Sequence, residues 1–342
     1  MELKIYREEI VLYDAGGSPI KTWVEVRIDP LTGDVSRVIH VPLRDWSLPD
    51  LEKMARETRK HCPFCPEHLG EKTPEFDRLI LPEGTLRRGK AVLIPNRFPY
   101  DRYCALIILS ETHYVPLDTW KAREVFDGLV LAQSFLNYVM ERDATVGAFS
   151  LNWNYAPHSG SSILHPHVQL SVGAFASNRG RRLMEVSYRE RLKGRDPIEE
   201  LLVEERSRQQ RWCGRVGPWC VLFAFAPRGR FFEIQLIHES VGCFPELAPE
   251  DVEALAAAIA RCLRFVPHMG FSSMNLSLFS PLREPNSFHP MVSISPRACV
   301  GPYQMSDISF QMLIDEFFCL FLPETVAARF REEEWGAERV SG

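Results

Sequence analysis

The chain has 342 residues, 45% hydrophobic and 25% charged, with a formal net charge of −5; this is ordinary globular composition, with room for one to three domains. The acidic balance excludes a general nucleic-acid or polyanion binder, so any basic residues that matter act locally, as in an anion pocket. No run of about 18 apolar residues is present to span a membrane, and the charged stretch Met1 to Glu9 lacks the apolar centre of a signal peptide.

Along the chain, the first feature that carries chemistry is Cys62-Pro63-Phe64-Cys65. A two-residue gap lets both sulfurs reach one ion, and Pro63 and Pro66 favour a tight knuckle, so the pair reads as half of a zinc site. The plainer alternative is two buried thiols. Nine cysteines, an odd number at irregular spacing, speak against a disulfide framework and for a reducing, cytoplasmic setting. The other two ligands must be histidines, with His68, His113, His158 and His165 as candidates. His113 and His165 are favoured because they end and begin strands that can be neighbours. His68 is the local alternative.

Strands are expected at Ala91–Pro95 and Cys104–Ser110, then a helix over Leu117–Met140, then strands at Phe149–Asn154 and Val168–Val172. Between the last two lies His165-Pro166-His167-Val168-Gln169. Strand alternation points His165, His167 and Gln169 into one volume and Val168 away from it. With His165 on the metal, His167 is the free imidazole and reads as a nucleophile toward phosphorus. Gln169 reads as a donor to phosphoryl oxygens, with Asn154, Ser161 and Ser162 as further neutral donors. Gly160 allows close backbone approach to an anion. The alternative is that His165 and His167 are both ligands of a structural metal.

A charge-rich segment, Ser177 to Arg211, reads as a solvated helix or surface excursion, and beyond it the pattern starts again. Residues Ala91 to His113 align without a gap with Trp219 to Val241, at an offset of 128. Strands follow at Cys220–Phe223 and Phe232–Ile237, a helix from near Pro249, and strands at Met274–Leu278 and Met291–Ile294. His165-Pro166-His167-Val168 aligns with His289-Pro290-Met291-Val292 at an offset of 124. The copies differ where chemistry is expected: His167 becomes Met291, His113 becomes Val241, and the Cys-x-x-Cys is missing. The first unit therefore reads as catalytic and the second as a degenerate copy able to contribute substrate contacts.

The His-x-His-x-Gln motif resembles that of the histidine-triad superfamily. Together with the double unit and Cys-x-x-Cys it is similar to the galactose-1-phosphate uridylyltransferase family, over most of the chain. Arg27-Ile28-Asp29-Pro30-Leu31-Thr32-Gly33, Asn96-Arg97-Phe98-Pro99 and Val300-Gly301-Pro302-Tyr303-Gln304-Met305 carry further resemblance, the last with one residue inserted. The resemblance implies an α+β fold of duplicated histidine-triad-like units, antiparallel sheets with helices packed on them, divided at 1–200 and 201–342. It implies one zinc at Cys62, Cys65, His113 and His165, a nucleotidylated His167 and an α-phosphate donor in Gln169. It implies substrate contacts from Arg27, Asn96, Asn154, Ser161, Ser162, Arg297, Tyr303 and Gln304, and a homodimer. Arg44 falls two residues late for a second family arginine. The family's auxiliary iron is not carried over, because Phe279 and Met291 stand where imidazoles are needed.

The implied reaction is a double displacement on a nucleoside diphosphate sugar. UDP-glucose with a hexose 1-phosphate acceptor, as in galactose metabolism, is the first reading. A phosphorylase using inorganic phosphate, as in ADP-glucose phosphorylase, is the second. A zinc-stabilised nucleotide-binding protein without turnover is the third.

Overall fold

The computed structural model describes residues 1–39, 48–284, 286–300, 305–306, 308 and 310–335. Its strands, in chain order, are β1 (Ile5–Tyr13), β2 (Pro19–Ile28), β3 (Val35–Ile39), β4 (Leu86–Arg88), β5 (Ala91–Pro95), β6 (Tyr103–Ile108), β7 (Ala148–Tyr155) and β8 (His167–Gly173). These are followed by β9 (Trp212–Val216), β10 (Trp219–Phe223), β11 (Ile234–His238), β12 (Ser273–Phe279) and β13 (Met291–Arg297). The helices that matter here are α1 (Leu51–Thr58), α2 (Ala122–Arg142), α3 (Asn178–Arg191), α4 (Pro197–Arg208) and α5 (Pro249–His268).

Ten strands form one sheet in the order β4-β5-β6-β8-β7-β12-β13-β11-β10-β9. The order reads as two five-stranded halves related by a local two-fold, with the antiparallel pair β7–β12 at the seam. The repeat seen in the sequence is therefore a repeat of strand order. A smaller sheet joins β1, β2, β3 and a short strand at Phe317–Cys319.

Alternation along the strands gives the large sheet two unlike faces. One face carries Leu93, Ile107, Val168, Leu170, Leu276 and Ile294 and is covered by α2 and α5, whose Phe135, Leu136, Leu255, Ile259 and Leu263 complete the main core. Gly128 lets α2 lie close to the sheet, since a Cβ there would meet Leu109 at 2.3 Å. The opposite face is apolar only at its two ends. At one end, Val92, Ile94, Leu106 and Ile108 pack against Cys62, Phe64 and Cys65. At the other, Cys220, Leu222, Ile237 and Met291 pack against Leu183, Ile198 and Leu202. The middle of that face is polar.

Three expectations change. The helix expected from Leu117 starts at Ala122, because a separate 3-10 turn at Leu117–Thr119 ends in an extended Trp120. The strand carrying the histidine motif starts at His167, after Pro166, which has no amide proton to give a ladder. His165 thus stands outside the strand, and alternation alone does not place its ring. The segment Ser177 to Arg211 is helical, as one of its two readings had it, but it forms two helices docked through buried Leu183, Ile198, Leu201 and Leu202. Among the described residues no helix is long and apolar enough to cross a membrane.

Asp196 locks α4 in place. It caps the helix through the amides of Ile198 and Glu199, pairs with Arg191, and accepts from His289 Nε2 at 2.9 Å. Burial pushes its carboxyl up, but the bonds from His289 and Glu199 and the charges of His289 and Arg191 outweigh burial and hold it at about 2. The stabilisation is present above the ordinary value of 3.8 and is lost as pH falls toward about 2. Asp196→Asn keeps a capping oxygen but removes the charge. It should lower stability at neutral pH by about 2 kcal/mol and flatten the acid limb of a denaturation profile against pH. A variant with an unchanged acid limb would refute this role.

Candidate active site and metal centre

The knuckle Cys62–Cys65 follows α1 and packs against the apolar end of the sheet face, which brings it to the segment after β6 that carries His113 and to the approach to β8. Cys62, Cys65, His113 and His165 are all buried, and their ligand atoms lie within 4.8 Å of one another. Cys65 Sγ is 3.4 Å from His113 Nδ1 and 3.6 Å from His165 Nδ1, and Cys62 Sγ is 3.7 Å from His165 Nδ1. A tetrahedral zinc with bonds of about 2.3 Å to sulfur and 2.0 Å to nitrogen has sulfur–nitrogen edges of about 3.5 Å. The donor set fits a zinc ion.

The neighbours of these rings fix which nitrogen faces the sulfurs. His165 Nε2 donates to the Ser110 carbonyl at 2.7 Å. His113 Nε2 lies 2.9 Å from the Thr58 hydroxyl, which itself donates to the Met54 carbonyl at 2.7 Å and so accepts from the ring. Both Nδ1 lone pairs are then left for a metal, the usual outer-shell arrangement for metal-bound imidazole. Burial holds His165 down at about 4, so it is neutral and able to ligate. His68 is not part of the set, since its Nδ1 bonds the Cys62 carbonyl at 2.8 Å. His158 lies in the turn Pro157–Ser159, outside the cluster.

His167 opens β8 and is 6% exposed. Its Nδ1 is 2.8 Å from the His165 carbonyl, an acceptor only, so Nδ1 carries the proton and Nε2 carries the lone pair. Phe64, from the metal knuckle, meets the His167 ring edge-on at 5.1 Å and the His165 ring at 6.2 Å. The knuckle therefore buttresses the free imidazole as well as supplying sulfurs. Burial lowers the pKa of His167, opposed by its bond to the His165 carbonyl.

Two rows of polar side chains run from this ring across the middle of the sheet. Gln169 is paired with Asn152, Asn152 with Ser277, and Ser277 with Ser293. One rung along, beside His167, stand Asn154, Asn275 and Ser295. Hydrogen bonds cross the seam between the halves. Arg297 Nη1 donates to Asn275 Oδ1 at 2.8 Å, and Asn275 Nδ2 donates to Asn154 Oδ1 at 2.6 Å and to the Ser159 carbonyl at 3.0 Å. An arginine has only donors, so it must take the oxygen of Asn275. That sets the Asn275 amide, which in turn claims the oxygen of Asn154.

The remaining expected residues are placed less uniformly. Ser161 is buried and donates to the Ile163 carbonyl at 2.7 Å, while Ser162 is exposed. Asn96 follows β5 and uses its side-chain oxygen to accept from the Phe98 amide at 3.0 Å. Arg27 is 2% exposed, and its donors go to Glu25, Glu324 and the Phe225 carbonyl, so it serves a buried ion-pair network instead of an open face. Its expected substrate contact is not one that this arrangement offers. Tyr303, Gln304 and Arg44 lie outside the described residues.

Sequence reasoning passed over Thr58, Ser110, Asn152 and Asn275, which carried no motif. It also passed over Ala156, held at φ 66° and ψ 163° where the loop to His165 leaves β7. That conformation is costly for any residue but glycine. The Ala156 carbonyl accepts from the amide of Ser159 and from its hydroxyl at 2.7 Å, which offsets the strain.

No family model matches the sequence. An uncharacterised protein of Archaeoglobus fulgidus is 31% identical over 330 residues, spanning 95% of this chain and 96% of that one. Among solved structures, an ADP-glucose phosphorylase from Arabidopsis thaliana with bound ADP-glucose matches with a TM-score of 0.69, at 18% identity over 90% of this chain and 99% of that one. A GalT-like protein from the same plant matches with a TM-score of 0.69, at 17% identity over 90% and 98%. A uridylyltransferase matches with a TM-score of 0.67, at 19% identity over 91% and 99%. The fold is the α+β fold of the galactose-1-phosphate uridylyltransferases.

Burial, and then the neighbouring Cys62, push the Cys65 thiol up to about 12 in the metal-free protein. Zinc must therefore displace thiol protons as it binds. The purified chain should hold about one zinc, and reloading stripped protein should release protons in an unbuffered titration. Cys62→Ser with Cys65→Ser should abolish both signals. Metal-free native protein that stays fully stable would contradict the assignment.

Proposed function

The chain belongs to one family with the Archaeoglobus fulgidus protein, and from its site we propose that it is a nucleotidyltransferase acting on a nucleoside diphosphate sugar through a nucleotidyl-histidine. The observation that carries this is the division of labour between two neighbouring histidines. His165 turns its Nδ1 to the cysteine sulfurs, and His167, tied at Nδ1 to the His165 carbonyl, keeps its Nε2 lone pair.

In the first step the Nε2 pair forms a bond to the α-phosphorus, and the bond to the bridging oxygen breaks. Sugar 1-phosphate leaves with that electron pair. The ring then carries positive charge, which the His165 carbonyl at Nδ1 stabilises. Gln169 and the Asn154 amide donate to the phosphoryl oxygens. In the second step a phosphate oxygen of the acceptor attacks phosphorus, the P–N bond breaks, and the imidazole recovers its pair. Entering and leaving groups are both phosphate anions, so no strong general base is required. In this scheme Cys62, Cys65, His113 and His165 would supply four ligands to a zinc ion, whose role would be to hold the knuckle and the approach to β8 in place.

UDP-glucose as donor with a hexose 1-phosphate as acceptor is the first assignment. Inorganic phosphate as acceptor with ADP-glucose as donor is the second, favoured by the fold likeness to a structure described with bound ADP-glucose. Nucleotide-labelled UDP-glucose and ADP-glucose, each incubated with the protein and quenched, distinguish the donors by which one labels the chain. His167→Gly should lose all labelling yet keep its zinc, whereas His165→Ala should lose zinc and stability. Labelling that survives in His167→Gly would end the mechanism.

A further inference from the structure

The loop that joins β7 to the histidine motif begins with one strained residue. Ala156 stands at φ 66° and ψ 163°, a region that glycine enters freely and other residues hold only where their surroundings enforce it. It is buried, and its methyl group belongs to the main core. The turn Pro157–Ser159 follows, and Gly160, at φ 94°, redirects the chain toward Ser161 and Ser162. Each end of this loop carries a part of the site. Asn154 stands just before it, and His165, whose carbonyl holds His167 Nδ1, stands just after it.

Two side chains of β12, in the second half, grip the loop from across the seam. The register that pairs Met274 with Tyr155 brings Ser273 opposite Ala156. Ser273 is buried, and its hydroxyl donates to the Tyr155 carbonyl at 2.6 Å, with the Ala156 carbonyl as a longer second partner at 3.5 Å. These carbonyls belong to the two peptides that flank the Ala156 Cα, so one oxygen is tied to both and restrains φ and ψ together. Asn275 lies on the same face of β12. Its Nδ2 donates to the Ser159 carbonyl at 3.0 Å as well as to Asn154 Oδ1 at 2.6 Å.

We propose that Ser273 and Asn275 are positioning residues: β12 of the second half clamps the loop 156–162 in its strained form and so fixes the Asn154 amide and the approach to His167. The part this clamp plays in catalysis rests on the nucleotidyl-transfer reading, whereas the clamp itself does not. Without the Ser273 hydroxyl, Ala156 is free to relax, which turns the peptides on both sides of it and carries the turn Pro157–Ser159 away from β12. Asn275 then loses the Ser159 carbonyl, and the separation between Asn154 and His165 is no longer set. Misplacement of this kind slows the chemical step more than it weakens binding, because the attacking nitrogen and the donor must meet one phosphorus together. The second half, with Met291 in place of the nucleophile, thus contributes geometry to a reaction carried out on the first.

The test uses the full-length, zinc-loaded protein with nucleotide-labelled UDP-glucose and ADP-glucose. Ser273→Ala should slow labelling of His167 by about tenfold, with zinc content and affinity for the nucleotide sugar unchanged. Ser273→Thr, which keeps the hydroxyl, should restore the rate. Asn275→Asp keeps an oxygen for Arg297 but loses both amide hydrogens, and it should slow labelling in the same way. Ala156→Gly added to Ser273→Ala should recover the rate, because glycine removes the strain that the hydroxyl restrains. A serine that only filled space would give no such rescue. Hydrogen exchange across residues 157–164 reads the clamp without turnover: it should be faster in Ser273→Ala and slowed again by Ala156→Gly. Folded Ser273→Ala that labels and exchanges like the wild type overturns the proposal, and so does an Ala156→Gly change that deepens the Ser273→Ala defect. The expected exchange pattern in a protein whose wild type takes no label would keep the clamp and remove the transfer reading.

Discussion

His165 is the residue on which the candidate site depends, because three of its atoms hold three different things. Its Nδ1 faces two cysteine sulfurs, its Nε2 holds the Ser110 carbonyl, and its own carbonyl holds His167 Nδ1. The first two bonds fix the chain just before β8 begins. The third then fixes the tautomer and tilt of the His167 imidazole, two residues on. A ring free to rotate at this point would leave the His167 lone pair without a defined direction, and the preorganisation that the proposed attack requires would be lost. Pro166 between them adds rigidity and keeps His165 out of the ladder, where its ring would have been committed to the same face as His167.

The second half retains the pin without the metal. His289 occupies the position of His165 and bonds the carbonyl of His238, which occupies the position of Ser110. It does so through Nδ1 instead of Nε2, and its other nitrogen meets Asp196 instead of sulfur. A carboxylate that also caps α4 takes the place of the knuckle. Both solutions tie a covering element to the flank of the sheet at the strand entrance: the knuckle in one half, the α3–α4 pair in the other. The duplicated sheet has such a tie at each end, and in the proposed reaction only one end carries the nucleophile.

What the sequence made legible follows from spacing. Cys62 and Cys65 have two residues between them, a gap that lets one ion take both, and His167 and Gln169 alternate because a strand presents them together. The strand order of the two halves was legible as a repeat because the core-facing positions recur. The partners that orient these groups left no such trace. Ser110 contributes only a backbone carbonyl, which any residue has. Thr58 acts from the end of a helix far along the chain. Asn275 acts across a seam that forms only when β7 and β12 pair. Arg27 was misplaced for a related reason: a basic residue in a family-like strand reads as an anion ligand until Glu25 and Glu324 are seen around it. The Ser177–Arg211 segment misled through composition, since its charges lie on the outer face of helices whose few apolar residues are the buried ones.

The polar middle of the sheet is the costly part of this architecture. A face buried under helices on both flanks would be more stable if its centre were apolar as well, because each amide or hydroxyl there must keep a partner. Asn152, Asn154, Asn275 and Ser277 instead satisfy one another across the seam. The direction of that network is not arbitrary. Arg297 can only donate, so polarity enters from the second half and runs toward the first, and the Asn154 oxygen is consumed on the far side of His167. Its amide hydrogens are then what Asn154 has left to offer an acceptor. In the proposed reaction an anion is favoured over a cation beside His167 for a reason that sits two strands away, in the half of the molecule where Met291 stands at the position of His167.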